Sequence, residues 1–188
     1  MNRQLNRTLH QLMRGKNPLS ILVLAGLLAF AYWLEPPTPR RGQDEHAAAR
    51  GRYEGRCIRV LDGDTIDVRA DSGEEFRLRL LGVDCMETHN EEKLAEQARR
   101  LGRTTEQVRR LGERGRDRTR ALLLRQAIAW EVPEGTPLFD PYDRMLAYVE
   151  RDGEDVGELL LREGLAELRR DPHPRSVRYR GSAAPLAW

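Results

Sequence analysis

Cysteine, histidine and lysine are scarce in this 188-residue chain, and each scarcity removes a class of chemistry. The two cysteines, Cys57 and Cys85, and the four histidines show no metal-binding spacing, which argues against a zinc site. Lysine occurs only at Lys16 and Lys93, so arginine supplies almost all the positive charge. An excess of one charge sign is also missing. The formal net charge is +2, and the first 50 residues carry seven basic and three acidic groups. Residues 51–188 therefore hold 25 basic against 27 acidic groups. A bulk basic surface cannot be what attracts a polyanion here, so any such binding rests on individual arginines and a bound cation.

One uncharged apolar stretch stands out, Pro18 to Leu34, preceded by Arg3, Arg7, Arg14 and Lys16. At 1.5 Å per residue it reaches about 25 Å, the short end of a membrane-spanning helix. The charge asymmetry places the N-terminus in the cytoplasm and the remainder outside. Two readings stand. In one the segment is an uncleaved inner-membrane anchor, and in the other Ala29-Phe30-Ala31 is a signal-peptidase site that releases a secreted protein. The chain thus divides into a basic segment (1–17), an anchor or signal peptide (18–34), a Pro- and Arg-rich linker (35–50), one domain (51–170) and an irregular tail (171–188).

Within the domain, Arg56–Leu61, Ile66–Arg69 and Phe76–Leu81 alternate as half-buried strands, with Ile58 and Val60 sharing a face. Residues 91–126 turn helical. Thr104-x-x-Gln107 forms a capping box, and Gly112 and Gly115 weaken the middle, which favours two helices over one. Ile128–Val132 and Met145–Glu150 are strands again, and Asp155-x-x-Glu158 opens a helix stopped by Gly164. The predicted class is α+β, mainly β: a five-stranded OB-type small barrel with packed helices. In an oxidising compartment Cys57 and Cys85 could pair; otherwise they remain thiols.

The chemistry gathers in a few short runs. Asp64, in Asp62-Gly63-Asp64-Thr65, and Asp84, in Arg79-Leu80-Leu81-Gly82-Val83-Asp84, sit on turns after adjacent strands. Two such carboxylates converge on a hard cation, Ca²⁺ or Mg²⁺. Arg79 and Arg144 each offer two parallel donors that match phosphate oxygens. Glu87 is the candidate general base for a water molecule.

Those runs, with Glu87-Thr88, Tyr142-x-Arg144-x-Leu146-Ala147-Tyr148 and Glu163-Gly164-Leu165-Ala166, resemble the staphylococcal nuclease (thermonuclease) family in order and spacing over residues 53–168. The resemblance implies barrel closure and a Ca²⁺ cofactor held by Asp64, Asp84 and the backbone carbonyl of Cys85. It also implies catalysis by Arg79, Glu87 and Arg144, a substrate contact from Tyr142, and DNA or RNA as substrate with little sequence preference. A barrel that binds nucleic acid or a protein without cleaving it is the alternative. No protein partner is evident.

Several positions depart from the family pattern. Met86 replaces the usual proline before the glutamate, and Pro141 replaces a lysine before Tyr142. Arg169, Arg170 and Pro172 lie where a base-stacking tyrosine pair is usual, and no third, C-terminal helix is expected. The extra helical sequence from Glu91 to Arg110 is either a lip over the substrate or a longer connection.

Overall fold

The computed structural model describes residues 50–188. The predicted basic segment, the anchor or signal peptide and nearly all of the linker lie outside the described residues. Among the described residues no helix is long and apolar enough to cross a membrane.

Among the described residues, eight strands and four helices follow in order: β1 (Gly51–Asp62), β2 (Thr65–Ala70), β3 (Glu75–Leu80), β4 (Val83–Cys85), α1 (Glu91–Leu101), α2 (Thr105–Leu123), β5 (Ala127–Val132), β6 (Met145–Arg151), β7 (Glu154–Asp155), α3 (Val156–Arg162), β8 (Ala166–Leu168) and α4 (Ser176–Ser182). The long strand β1 starts the curl. Its first half pairs with β5 and its second half with β2, both antiparallel. A parallel pairing of β3 with β6, from Leu78↔Met145 to Leu80↔Ala147, joins the ends of the series β3-β2-β1-β5-β6. Five strands thus close into the expected barrel, and β7 extends β6 outside the closure.

Bulges set which residues face inward. The register of β1 on β2 shifts between Cys57 and Arg59 and again between Val60 and Asp62. Cys57 and Val60 are therefore buried while Ile58 is only half-buried, a correction to the plain alternation of Ile58 and Val60. Ile66, Val68, Leu78, Leu80, Trp130, Val132, Met145, Ala147 and Val149 fill the rest of the interior. Both cysteines are buried free thiols.

The helical stretch splits, but not at the glycines that weaken its pattern. Gly102 caps α1 in the left-handed conformation (φ 63°), and Thr104 opens α2 with the expected capping box. Helix α2 runs through Gly112 and Gly115, both buried against neighbouring chain.

Residues 171–188 require a second correction, because they contain α4 rather than only irregular chain. Tyr179 of α4 is buried, and its hydroxyl donates to Asp155 at 2.7 and 2.9 Å. Asp155 also caps α3 through the Glu158 amide and pairs with Arg175 at 2.6 Å. Replacing Tyr179 with phenylalanine removes one bond from a buried carboxylate that keeps its others. A loss of about 1–2 kcal/mol is expected in denaturant titration. An unchanged midpoint would show that the tail is not anchored through this hydroxyl.

His173 packs beside Tyr179 and Tyr148, its Nδ1 2.8 Å from the Tyr148 hydroxyl. Burial holds its pKa below the usual 6.5, against the opposing pull of Asp155 and Asp171. The unfolded chain therefore takes up this proton first. The stabilisation from neutral His173 is complete above about pH 6.5 and is lost as pH falls through the lower folded value. Melting between neutral pH and about pH 5 should show a smaller drop for His173→Gln than for the unsubstituted chain.

Candidate nucleic-acid cleaving site

The sharp turn between β1 and β2 carries Asp64, and α2 fixes that turn: Thr119 Oγ1 donates to the Gly63 carbonyl at 2.7 Å. Asp64 is buried. Its Oδ2 accepts from the Cys85 amide at 2.6 Å and lies 3.3 Å from Arg79 Nη2, while Oδ1 accepts from Thr65 Oγ1 at 3.1 Å. The first strands are thereby tied to β4, which carries Asp84 and pairs antiparallel with β8.

Arg79 points away from the barrel interior yet is only 4% exposed, because the β4 segment covers it. Its Nη1 donates to the carbonyls of Leu80 (3.0 Å) and Val83 (2.8 Å), and Nη2 donates to Asp84 Oδ1 at 2.7 Å. Two backbone oxygens and two carboxylates thus lock the guanidinium in one orientation. Both Nη groups are thereby occupied, so the two parallel donors expected from the sequence reach a phosphate only if Asp64 or Asp84 gives way at Nη2, and Nε–H alone is left over.

Arg144 reaches the same place from the loop before β6. Asp140 builds that loop by accepting from the backbone amides of Tyr142 (2.9 Å) and Arg144 (3.0 Å) and from Arg144 Nε (2.7 Å). Arg144 Nη1 then donates to Thr65 Oγ1 at 3.2 Å, beside Asp64. Burial opposes the charge on Asp140, but Arg144 and the two amides outweigh it and hold its carboxyl below the ordinary value. Tyr142 is 71% exposed, with Arg144 5.3 Å and Lys93 5.8 Å from its ring centre.

Glu87 lies in the loop between β4 and α1. Its Oε1 accepts from the amides of Thr88 (2.9 Å) and His89 (3.1 Å), and its own amide donates to Gln97 Oε1 at 3.0 Å. The other oxygen, Oε2, stands 4.0 Å from Lys93 Nζ. Burial works against ionisation, but the amides of His89, Thr88 and Asn90, with Lys93 behind them, hold this carboxyl below its usual pKa. Glu87 is therefore a carboxylate at neutral pH, with Oε1 held by two amides and Oε2 outside those hydrogen bonds.

One cleft of about 370 Å³ is lined by all of these side chains: Asp64, Asp84, Glu87, Arg79, Arg144 and Tyr142, together with Cys85. The fold brings these side chains, distant in sequence, to one space. Asp62 also lines the cleft and accepts from Thr88 Oγ1 at 3.2 Å. Burial raises the pKa of Asp62, and Asp64 and Glu87 add to the rise. Burial likewise raises Asp84; Arg79 opposes that rise and Asp64 adds to it. Asp62, Asp64, Asp84 and Glu87 bring carboxylate oxygens to one space, the ligand type that hard divalent cations take. As arranged, no three acidic, histidine or cysteine side chains among the described residues stand close enough to enclose an ion.

Other functional positions are not evident from motifs alone. Asp140 shapes the Arg144 loop, and its sequence signal is the Asp-Pro turn. Gln97 holds the Glu87 amide, and Lys93, Glu96 and Arg100 line the cleft with it. Their signal is spacing, because 93, 96/97 and 100 form one helical stripe. Gly112 admits the loop to α2, since a Cβ there would lie 2.4 Å from the Met86 carbonyl and 3.0 Å from that of Glu87.

Comparison with known proteins agrees with this geometry. A family model described as staphylococcal nuclease homologue matches residues 77–181. The chain is 35% identical over 111 residues to a thermonuclease of Staphylococcus hyicus, covering 59% of this chain and 56% of that protein. It is 34% identical over 110 residues to endonuclease YncB of Bacillus subtilis, covering 58% and 45%. An uncharacterized protein of Methanocaldococcus jannaschii is 30% identical over 100 residues, covering 52% and 48%. The chain thus spans about half the length of the curated relatives it matches.

Proposed function

This chain belongs to the staphylococcal nuclease homologues, and we propose on that footing that it hydrolyses phosphodiester bonds of DNA, RNA or both. Little sequence preference, Ca²⁺ dependence and 3′-phosphorylated products are part of the proposal. Its main support is that Arg79, Arg144, Asp64, Asp84 and Glu87, from four separate segments, line a single cleft. The names of the relatives, thermonuclease and endonuclease, point the same way.

A phosphodiester repels nucleophiles through its own charge, and its transition state gathers more charge on oxygen. Arg79 and Arg144 donate to the phosphate from two segments of the chain and oppose that build-up. Glu87 Oε2 accepts a proton from the water that attacks phosphorus; the bond to the 5′ oxygen breaks, and that oxygen leaves with a proton taken from solvent water. Asp64, Asp84 and the Cys85 carbonyl would hold Ca²⁺, which supplies charge neutralisation at the phosphate when bound. Tyr142, exposed at the rim, contacts the bound nucleotide. A neighbouring cavity of about 420 Å³, lined by Phe139, Pro141, Tyr142 and Leu146 as well as both arginines, suits a nucleobase.

Cutting of single-stranded DNA and RNA in Ca²⁺, and its abolition by chelator, is the expected result. Intact substrate that nonetheless binds would favour a binding module instead. The domain is further proposed to face the periplasm or exterior on an uncleaved anchor, on the strength of residues 3–34. Recovery of full-length mass from the membrane fraction supports the anchor, and a shorter soluble form supports cleavage and secretion.

A further inference from the structure

Helix α1 presents two stripes about a third of a turn apart. Leu94 and Ala98 are buried, while Lys93, Gln97 and Arg100 line the cleft. A span of seven residues places Lys93 and Arg100 about 10 Å apart along the helix axis. Lys93 is near the Glu87 end, and Arg100 opens onto a second groove of about 830 Å³ between α1, β8 and the C-terminal chain. Arg100, Arg169 and Asp84 line both spaces, so the cleft and the groove are continuous, and Arg170 lines the groove further out.

Resting on the nuclease reading, we propose that this groove is a subsite for the single-stranded nucleic acid that flanks the scissile phosphate. In this reading α1 is a wall of the binding site rather than a longer connection. The bound strand runs past Lys93 and Arg100 and leaves over Arg169 and Arg170.

The groove is not a bare cationic surface. Arg100 is paired with Glu167, at 2.9 and 2.5 Å, and Arg169 with Asp171 at 2.7 Å. Glu96 lies on the same stripe of α1. Phosphates therefore exchange with carboxylate partners that hold the guanidinium groups at the groove. Both pairs are solvent-exposed, so they are weak enough to exchange. Ala183, Ala184 and Leu186 add an apolar floor on the far side, against which bases can rest.

The test measures binding of fluorescent oligonucleotides of about three and about twelve nucleotides to the full chain in chelator. Without turnover, a missing nuclease activity and a missing groove give different results. The longer strand should bind at least about tenfold tighter, with a salt slope steeper by about 1.4 for two added phosphate contacts. The double substitution Lys93→Ala/Arg100→Ala should weaken the longer strand far more than the shorter. Arg100→Lys alone should keep most of the advantage of length. Equal losses at both lengths, or equal salt slopes for both strands in the unsubstituted chain, would overturn the proposal.

Discussion

Arg79→Ala is expected to lower kcat/KM for single-stranded DNA by about 10²–10³-fold and also to weaken the fold. The two effects share a cause. Arg79 is nearly fully buried and faces Asp64 and Asp84 at 3.3 and 2.7 Å, so its removal leaves two carboxylates repelling each other without a counter-charge. Breaking a buried pair from one side costs about 3–5 kcal/mol. Asp84 is partly solvated, which places the expected loss at the lower end of that range. Arg79→Lys keeps a charge but not the fork that spans the Leu80 and Val83 carbonyls, so it should recover stability more than rate. Glu87→Gln separates the two effects from the other direction. It preserves the shape of the loop and should cost a similar factor in kcat with little change in melting. Full turnover by Glu87→Gln would remove Glu87 from the proton transfer and the proposed mechanism with it.

Gly112→Ala carries the second large effect, at a position that touches no substrate. On an exposed helix this change would gain about 1 kcal/mol from propensity. Here the added carbon meets backbone, 2.4 Å from the Met86 carbonyl oxygen and 3.0 Å from that of Glu87. Backbone cannot rotate away, so the loop carrying Glu87 must move off α2. Overpacking costs about 1–3 kcal/mol and outweighs the propensity gain. A shift of about 1 Å in the general base costs about 10²-fold in turnover. Gly115→Ala, three residues along the same helix, is the comparison. Its nearest backbone neighbour is the Leu165 carbonyl at 3.3 Å, so a stability change within about 1 kcal/mol is expected. If Gly112→Ala kept full activity, the helix would not be what places the loop.

Most of the barrel was readable because its strands are short, amphipathic and punctuated by turns. The Leu78–Leu80 face of β3, the Thr104 capping box and the Asp155 cap all carry local signals that the fold agrees with. The local pattern fails where a contact distant in sequence overrides it. Ile58 gives way to Cys57 because the bulges in β1 depend on its pairing with β2. Helix α2 tolerates two glycines because neighbouring chain packs where their side chains would be. The tail forms α4 because Asp155, 24 residues earlier in the chain, accepts from the buried Tyr179 hydroxyl.

The amino-acid order by itself determined which chemical groups are available: an aspartate on the turn after β1, arginines beside strands, and a glutamate after β4; Asp84, expected on a turn, lies within β4. Those signals are local, since turn chemistry and strand alternation need only neighbouring residues. Only the folded chain decided that Arg144 lies beside Thr65, that Gln97 grips the Glu87 loop, and that α1 forms a wall of the cleft. These are contacts between separate segments, fixed by barrel closure and by the packing of α2 on the β1–β2 turn, and no short window of sequence encodes them.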